Sequence, residues 1–323
     1  MRVQFIQNFI DKLRGKKNAL ELIKQFKELK ISVLDNTNAF ANALEKNIAS
    51  KADDILKAIE NLKENKYIII PETFLTNYLN KINNNESDCI LIDNILFKKN
   101  QNAFGLAEIF ARRDYEIAGI EDYVLIDVGA NVADSTLYFA NNACCRKVYA
   151  YEPFSMVYGV ANENIDLNPH LKNKIKLAKY GWGNSNKILN VAVSNDINLS
   201  GGNTICDFFN EKLPILKNSY DQIEIKSSSE ELKRILQENP SSKIILKMDI
   251  EGSEYECLEN LVQNDMLKYI NIIVLEWHFN GYIQILNMLK KHNFICFNER
   301  FQNEVGFIRA VNMNTKKYQG DEQ

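Results

Sequence analysis

The 323-residue sequence has no basic excess: 39 lysines and arginines stand against 42 aspartates and glutamates, a formal net charge of −3. A dedicated nucleic-acid binder carries a positive surplus to meet phosphates, so this balance disfavours that class. No CxxC pair occurs among the six cysteines, Cys89, Cys144, Cys145, Cys206, Cys257 and Cys296. That argues against a zinc site and a disulfide framework, and reduced thiols in a cytoplasmic protein are expected. No apolar run approaches the roughly 20 residues of a membrane span, and the first residues lack the apolar core of a signal peptide. Neither secretion nor membrane insertion is expected. The fingerprint GxGxxG is also missing, which disfavours a nicotinamide dehydrogenase. What remains is ordinary globular composition, with 46% hydrophobic and 25% charged residues, enough to bury a normal core.

Residues 1–66 contain no proline and one glycine and read as helical. Ile48, Ala52, Ile55, Ile59 and Leu62 recur at alternating spacings of four and three, with Leu44 one turn earlier. This seam predicts burial against another helix, within the chain or from a second copy in a homo-oligomer. Residues 67–122 read as a connecting region: a short strand over 67–70, a hairpin over 89–97 and a helix over 103–119 carrying Arg112 and Arg113. From residue 123 the rhythm becomes strand, helix, strand. Apolar strands are predicted over 123–128, 148–151, 188–193, 244–250 and 272–275, and helices over 135–141, 156–167 and 255–262. The alternation predicts an α/β fold, a Rossmann-like parallel sheet covered on both faces. Strands over 294–297 and 306–311 are joined by a short link and predict an antiparallel pair at the sheet edge. The expected organisation is a helical segment (1–66), a connecting region (67–122), a catalytic domain (123–311) and a tail (312–323).

In an open α/β sheet, ligands bind beyond the carboxyl ends of the strands where the strand order reverses. The first strand of the alternating region ends in Asp127, Gly129, Ala130 and Asn131, then enters a helix. Gly129 permits a tight turn, and free backbone N–H groups at a helix start suit a carboxylate or phosphate. The second strand ends in Glu152, Pro153 and Phe154. An acidic residue at that tip suits the two hydroxyls of a ribose. Together these predict an adenosine-ligand site; the alternative is a plain βαβ unit with a glycine turn.

The chain resembles the FkbM-type methyltransferases. The resemblance is carried by IDVGAN over 126–131, YAYEP over 149–153, ANENIDLN over 161–168, LKMDIEGSE over 246–254 and VLEWH over 274–278. It covers residues 123–311 and leaves out the N-terminal third. It implies a class I methyltransferase sheet and an O-methyltransferase that uses S-adenosyl-L-methionine and acts largely on sugars and polyketide-type products. It implies cofactor contacts from Asp127, Gly129, Ala130, Asn131, Ser135, Glu152, Pro153 and Phe154. One departure is visible: Ala133 stands where the family usually has glycine, which is expected to narrow the space near the methionine tail without removing a donor or charge.

Residues two apart in a strand share a face, so Lys247 pairs with Asp249 and Glu276 with His278. Histidine occurs only three times in the chain, so its place at a strand end is informative. Asp249, Glu276 and His278 fit a site for magnesium, manganese or iron(II), which would orient and acidify an acceptor hydroxyl. In a second reading His278 is the general base, oriented by a carboxylate. In a third, His278 is structural and Glu251 is a helix-start carboxylate. Lys247 would assist proton removal only if its pKa were lowered. Trp182, with Tyr180, sits in a glycine-flanked turn placed before the third strand and is expected beside the adenine, or else at the surface or in the core. Residues 200–204 are a candidate acceptor loop. The expected partner is a small polar acceptor, a sugar or nucleotide-sugar. The rival functions are an RNA methyltransferase and a non-catalytic adenosine-ligand module assembling through the N-terminal helices.

Overall fold

The computed structural model describes residues 89–98, 105–106, 108–117, 119–194, 204, 219–279, 281–300 and 305–318. The helices predicted over 1–66, their seam from Leu44 to Leu62 and the strand predicted over 67–70 lie outside these residues. The chain divides into two units near Glu116, with Ile95–Gln101 belonging to the second. Among its described residues the first unit contains strand β1 (Cys89–Ile92), the helical residues Gly105 and Leu106, and a π-helical turn, Glu108–Arg112. The helix predicted over 103–119 therefore ends early: Arg113 takes a left-handed φ of 58° directly after that turn. Asp93 and Asn94 follow β1 with φ of 49° and 65°, the conformation a two-residue hairpin turn demands.

The second unit begins with β2 (Ile95–Lys98) and contains the alternating region. Its strands are β3 (Tyr123–Val128), β4 (Cys145–Tyr151), β5 (Ile175–Ala178), β6 (Gly181–Gly183), β7 (Lys187–Val193), β8 (Ser219–Ser227), β9 (Lys243–Met248), β10 (Ile272–His278), β11 (Phe294–Arg300) and β12 (Val305–Asn312). Its α-helices are α1 (Asp134–Asn141), α2 (Ser155–Asp166), α3 (Pro169–Lys172), α4 (Ser228–Glu238), α5 (Glu254–Gln263) and α6 (Ile283–Lys291). Seven strands form one sheet in the order β11-β12-β10-β9-β3-β4-β5. β5, β4, β3, β9 and β10 run parallel, while β12 is antiparallel to both β10 and β11. This is the Rossmann-like class I methyltransferase arrangement. All six residues of β3 are buried, as expected of a central strand covered on both faces. The chain leaves β3 for β4 and β5 on one side and returns to β9 and β10 on the other. The switch point therefore lies at the carboxyl ends of β3 and β9.

One strand assignment differs from the sequence reading. The segment predicted as the third parallel strand, over 188–193, lies in β7, which pairs antiparallel with β8 in a separate three-stranded sheet, β6-β8-β7. Ile188 is 70% exposed there, which fits a sheet with one face in solvent. The third place in the main sheet belongs to β5, a four-residue strand at the sheet's edge with Lys176 its one charged residue.

The ANENIDLN segment is explained by packing. Asn164 and Asn168 on and after α2 are buried and bind β2. The Asn164 side-chain oxygen accepts from Lys98 N–H at 2.8 Å, and its side-chain amide donates to the Val132 carbonyl at 2.8 Å. Asn168 accepts from Leu96 N–H at 2.9 Å and donates to the Leu96 carbonyl at 2.7 Å. Asn164→Ala leaves the Val132 carbonyl and Lys98 N–H without these partners. Urea denaturation is expected to show a loss of about 1–3 kcal/mol; an unchanged midpoint would refute the clamp.

Candidate functional site

Asp127 ends β3 with its carboxylate turned inward. One oxygen accepts from Ser135 Oγ at 2.8 Å and Thr136 Oγ1 at 2.6 Å at the start of α1. The other lies 3.1 Å from Lys247 Nζ, which also donates to the Gly129 carbonyl at 2.6 Å. Lys247 is 2% exposed. Burial by itself would lower its pKa, but Asp127 and Asp249 outweigh that and raise it. The condition under which Lys247 would assist proton removal is thus not met; its ammonium keeps its proton beneath the loop.

Gly129 adopts φ of +82°, and a Cβ there would lie 1.8 Å from the Asp249 carbonyl oxygen. Its glycine is required by the backbone of the β9 end, a close approach across the switch point. The N–H groups of Gly129 and Ala130 both donate to the Tyr151 carbonyl, at 3.1 and 3.0 Å. The loop therefore folds onto the end of β4, and those two groups are not open to an anion. Ala133 caps α1 in the left-handed conformation with φ of 66° and is fully buried. The departure from the family glycine therefore bears on backbone conformation: alanine takes a φ that glycine adopts freely.

Glu152 stands at the tip of β4, buried. Its two oxygens accept from Asn131 N–H and Phe154 N–H, each at 2.9 Å. Burial pushes its pKa up to about 7, against the lowering effect of those two bonds. Asn131 Oδ1 is buried with no hydrogen-bond partner. Phe154 is buried behind Glu152 with Val132 and Val157 in a second apolar cluster, and Pro153 lies beside Gly181.

Trp182 lies within β6, not in a turn, and is 2% exposed. Its ring packs on Tyr151 with centroids 5.2 Å apart. Of the locations expected, the structure puts it in the core. The flanking glycines have a local cause: a Cβ at Gly181 or Gly183 would meet Ile225 of β8 at 2.9 or 2.6 Å. Tyr180 donates its hydroxyl to Glu231 at 2.9 Å.

Across the switch point the ends of β9 and β10 bring Asp249, Glu276 and His278 together. One ligand atom from each lies within 4.8 Å of the others. His278 Nε2 is 3.9 Å from Glu276 Oε1 and 3.5 Å from Glu251 Oε2. His278 Nδ1 is 3.0 Å from Glu254 Oε1. Burial alone would lower the His278 pKa, but Glu251 and Glu254 raise it well above its ordinary value. Glu251 is pushed up to about 8, chiefly by burial. Glu251 has a left-handed φ of 54° in the turn between β9 and α5, and the buried Thr204 hydroxyl donates to its carbonyl at 2.6 Å. Thr204 alone of the candidate loop 200–204 is described, and it reaches this cluster.

Sequence reasoning missed Glu254 and gave the helix-start place to Glu251. Helix α5 begins at Glu254. The available signal was the pair of acids, Glu254 and Glu256, that opens α5, since carboxylates favour a first helical turn.

A family model described as the methyltransferase FkbM domain matches residues 127–296, just over half of the chain. Methyltransferase sdnD of Sordaria araneosa is 26% identical over 195 residues, covering 54% of this chain and 74% of that protein. Methyltransferase 1 of Beauveria bassiana is 24% identical over 178 residues, covering 52% and 70%. The crystal structure of methyltransferase FkbM from Methylobacillus flagellatus KT aligns with a TM-score of 0.42 at 10% identity. That alignment covers 87% of this chain, which spans 60% of the length of that structure.

Proposed function

The chain belongs to the FkbM methyltransferase family, and from that premise we propose that it moves a methyl group from S-adenosyl-L-methionine to a hydroxyl of a sugar or nucleotide-sugar, assisted by a divalent ion held at Asp249, Glu276 and His278. One observation carries this reading. The donor-type loop at Gly129 and the acid–histidine cluster at Asp249 meet backbone to backbone at the switch point of the sheet.

The residues present fit the donor. Each Glu152 oxygen has one backbone bond and further acceptor capacity for a ribose hydroxyl. The orphaned Asn131 Oδ1 is an acceptor suited to an ammonium group. S-adenosylmethionine, when bound, supplies an activated methyl on sulfur. The protein's part is to orient donor and acceptor. Asp127 and Lys247 hold the loop from beneath, and Ser135 serves it through Asp127. Sugar hydroxyls are weak acids and need help at neutral pH. Mixed nitrogen and oxygen ligands suit magnesium, manganese or iron(II), whose charge stabilises an alkoxide. Among the described residues no helix is long and apolar enough to cross a membrane. An adenosine-binding module without catalysis would have no use for the cluster, and the charge of −3 does not favour an RNA acceptor.

The direct test incubates purified protein with S-adenosylmethionine and a panel of nucleotide-sugars, with and without divalent ions, and detects the added mass of one methyl. No transfer to any sugar, with transfer to RNA, would overturn the acceptor assignment. For the donor, Glu152→Ala is expected to weaken S-adenosylmethionine binding by about 1.5–3 kcal/mol, read by calorimetry. Glu152 accepts both hydroxyls best when ionised, and its pKa lies at about 7. Donor affinity is therefore expected to rise between about pH 6 and pH 8 in the wild type and to stay flat in Glu152→Gln. Equal slopes in the two proteins would remove Glu152 from the donor site.

A further inference from the structure

We propose that Glu254 is the positioning residue of this site: it fixes His278 in the tautomer that turns Nε2 toward Asp249 and Glu276, and it ties the β9–α5 turn to the end of β10. The inference rests on the reading of His278 as a site residue and adds a residue whose role is not ligation.

Glu254 is fully buried. A buried carboxylate is tolerated only when its lone pairs are met by donors. Glu254 Oε1 accepts from Ile250 N–H at 3.1 Å and Gly252 N–H at 3.2 Å, and Oε2 accepts from Gly252 N–H at 3.0 Å. These two N–H groups belong to the turn that carries Asp249 and Glu251. The same Oε1 lies 3.0 Å from His278 Nδ1. An ionised carboxylate can only accept, so the hydrogen of this contact sits on Nδ1. In the neutral ring Nε2 is then the lone-pair nitrogen, and it faces Glu251 at 3.5 Å and Glu276 at 3.9 Å. A lone pair among carboxylates is repulsive unless a proton or a metal cation lies among them, and a histidine oriented by a carboxylate behind it is the arrangement that serves a metal ligand. Tyr255 reinforces the same junction, since its hydroxyl contacts the carbonyls of His278 and Gly281 at 3.2 and 2.9 Å. Position 254 also suits a negative charge because it opens α5, where the helix dipole favours it.

The test compares wild type, Glu254→Ala and Glu254→Gln in the full chain. Only three histidines occur, so each imidazole can be followed by nitrogen-15 NMR. In wild type with magnesium, the His278 hydrogen is expected on Nδ1 and protected from exchange. In Glu254→Ala that signal is expected to be lost or mixed with the Nε2–H form. Manganese affinity, read by electron paramagnetic resonance, should fall about 10- to 100-fold, with S-adenosylmethionine affinity unchanged. Glu254→Gln still offers an oxygen to Nδ1, so it should keep the tautomer and recover part of the turnover lost in the alanine variant. If the alanine variant does not fold, glutamine decides alone: retained Nδ1–H with weakened manganese binding supports the proposal. A folded variant with wild-type tautomer, manganese affinity and turnover overturns it. If wild type itself binds no manganese, the metal reading fails, and the tautomer and turnover still decide the role of Glu254.

Discussion

His278→Ala is expected to lower methyl transfer by about 10²- to 10⁴-fold while S-adenosylmethionine affinity stays near its wild-type value. His278 stands on the acceptor side of the switch point, and the donor contacts proposed above come from β3, β4 and the loops after them. Loss of the imidazole removes the only nitrogen from the Asp249, Glu276 and His278 group. Without it the acceptor hydroxyl loses either its metal or its base. A chelator separates these. If a divalent ion is needed, a chelator in excess abolishes wild-type turnover and added ion restores it. Full activity in metal-free protein would instead make His278 the general base, with Glu254 at 3.0 Å orienting it. A His278→Ala protein with near-wild-type turnover would remove the cluster from the chemistry altogether.

Gly129→Ala is expected to be the most damaging substitution in the donor loop. The new methyl would lie 1.8 Å from the Asp249 carbonyl oxygen and 3.0 Å from the Ile250 side chain, at φ of +82°. The backbone of β9 cannot yield without disturbing its register with β3, where Val128 pairs with Met248. The left-handed strain alone is about 1–2 kcal/mol for a residue with a Cβ. With the backbone collision the total is expected to reach about 4 kcal/mol or more, the range seen for severe core defects. Thermal unfolding should show a large loss of stability, and any folded fraction should lack donor binding. By contrast, Gly159→Ala within α2 meets nothing within 4 Å and serves as the control. A Gly129→Ala protein with wild-type stability and donor affinity would show that the close approach is not required.

The loop ends proposed to hold the donor were legible because their signals are local. Asp127, Gly129 and Glu152 lie at strand ends that declare themselves through apolar runs closed by glycine or proline, and the structure brings Asn131 N–H to Glu152 at 2.9 Å. Asp249, Glu276 and His278 could be grouped because two-residue spacing in a strand fixes a shared face, and β9 and β10 are neighbours in the sheet. Trp182 was ambiguous because glycines on either side of an aromatic residue look like a turn. Only the register of β6 on β8, Gly181 opposite Ile225, reveals that they are there to admit Ile225. The charge state of Lys247 was left conditional, since its pKa depends on Asp127, which lies on the neighbouring strand.

By itself the sequence determined the parallel core, the antiparallel end and the acid-tipped loops at one edge, because strand burial and turn chemistry act over a few residues. The tertiary structure alone decided which acids face His278. Glu254 is 24 residues away along the chain, and it meets Nδ1 only because α5 starts three residues later than Glu251, after a left-handed turn. It also decided that β7 leaves the main sheet, since β5 had already filled the edge beside β4 and β8 offered β7 an antiparallel partner. Such outcomes depend on which surfaces remain free once the central strands have paired, a long-range competition that no local pattern records.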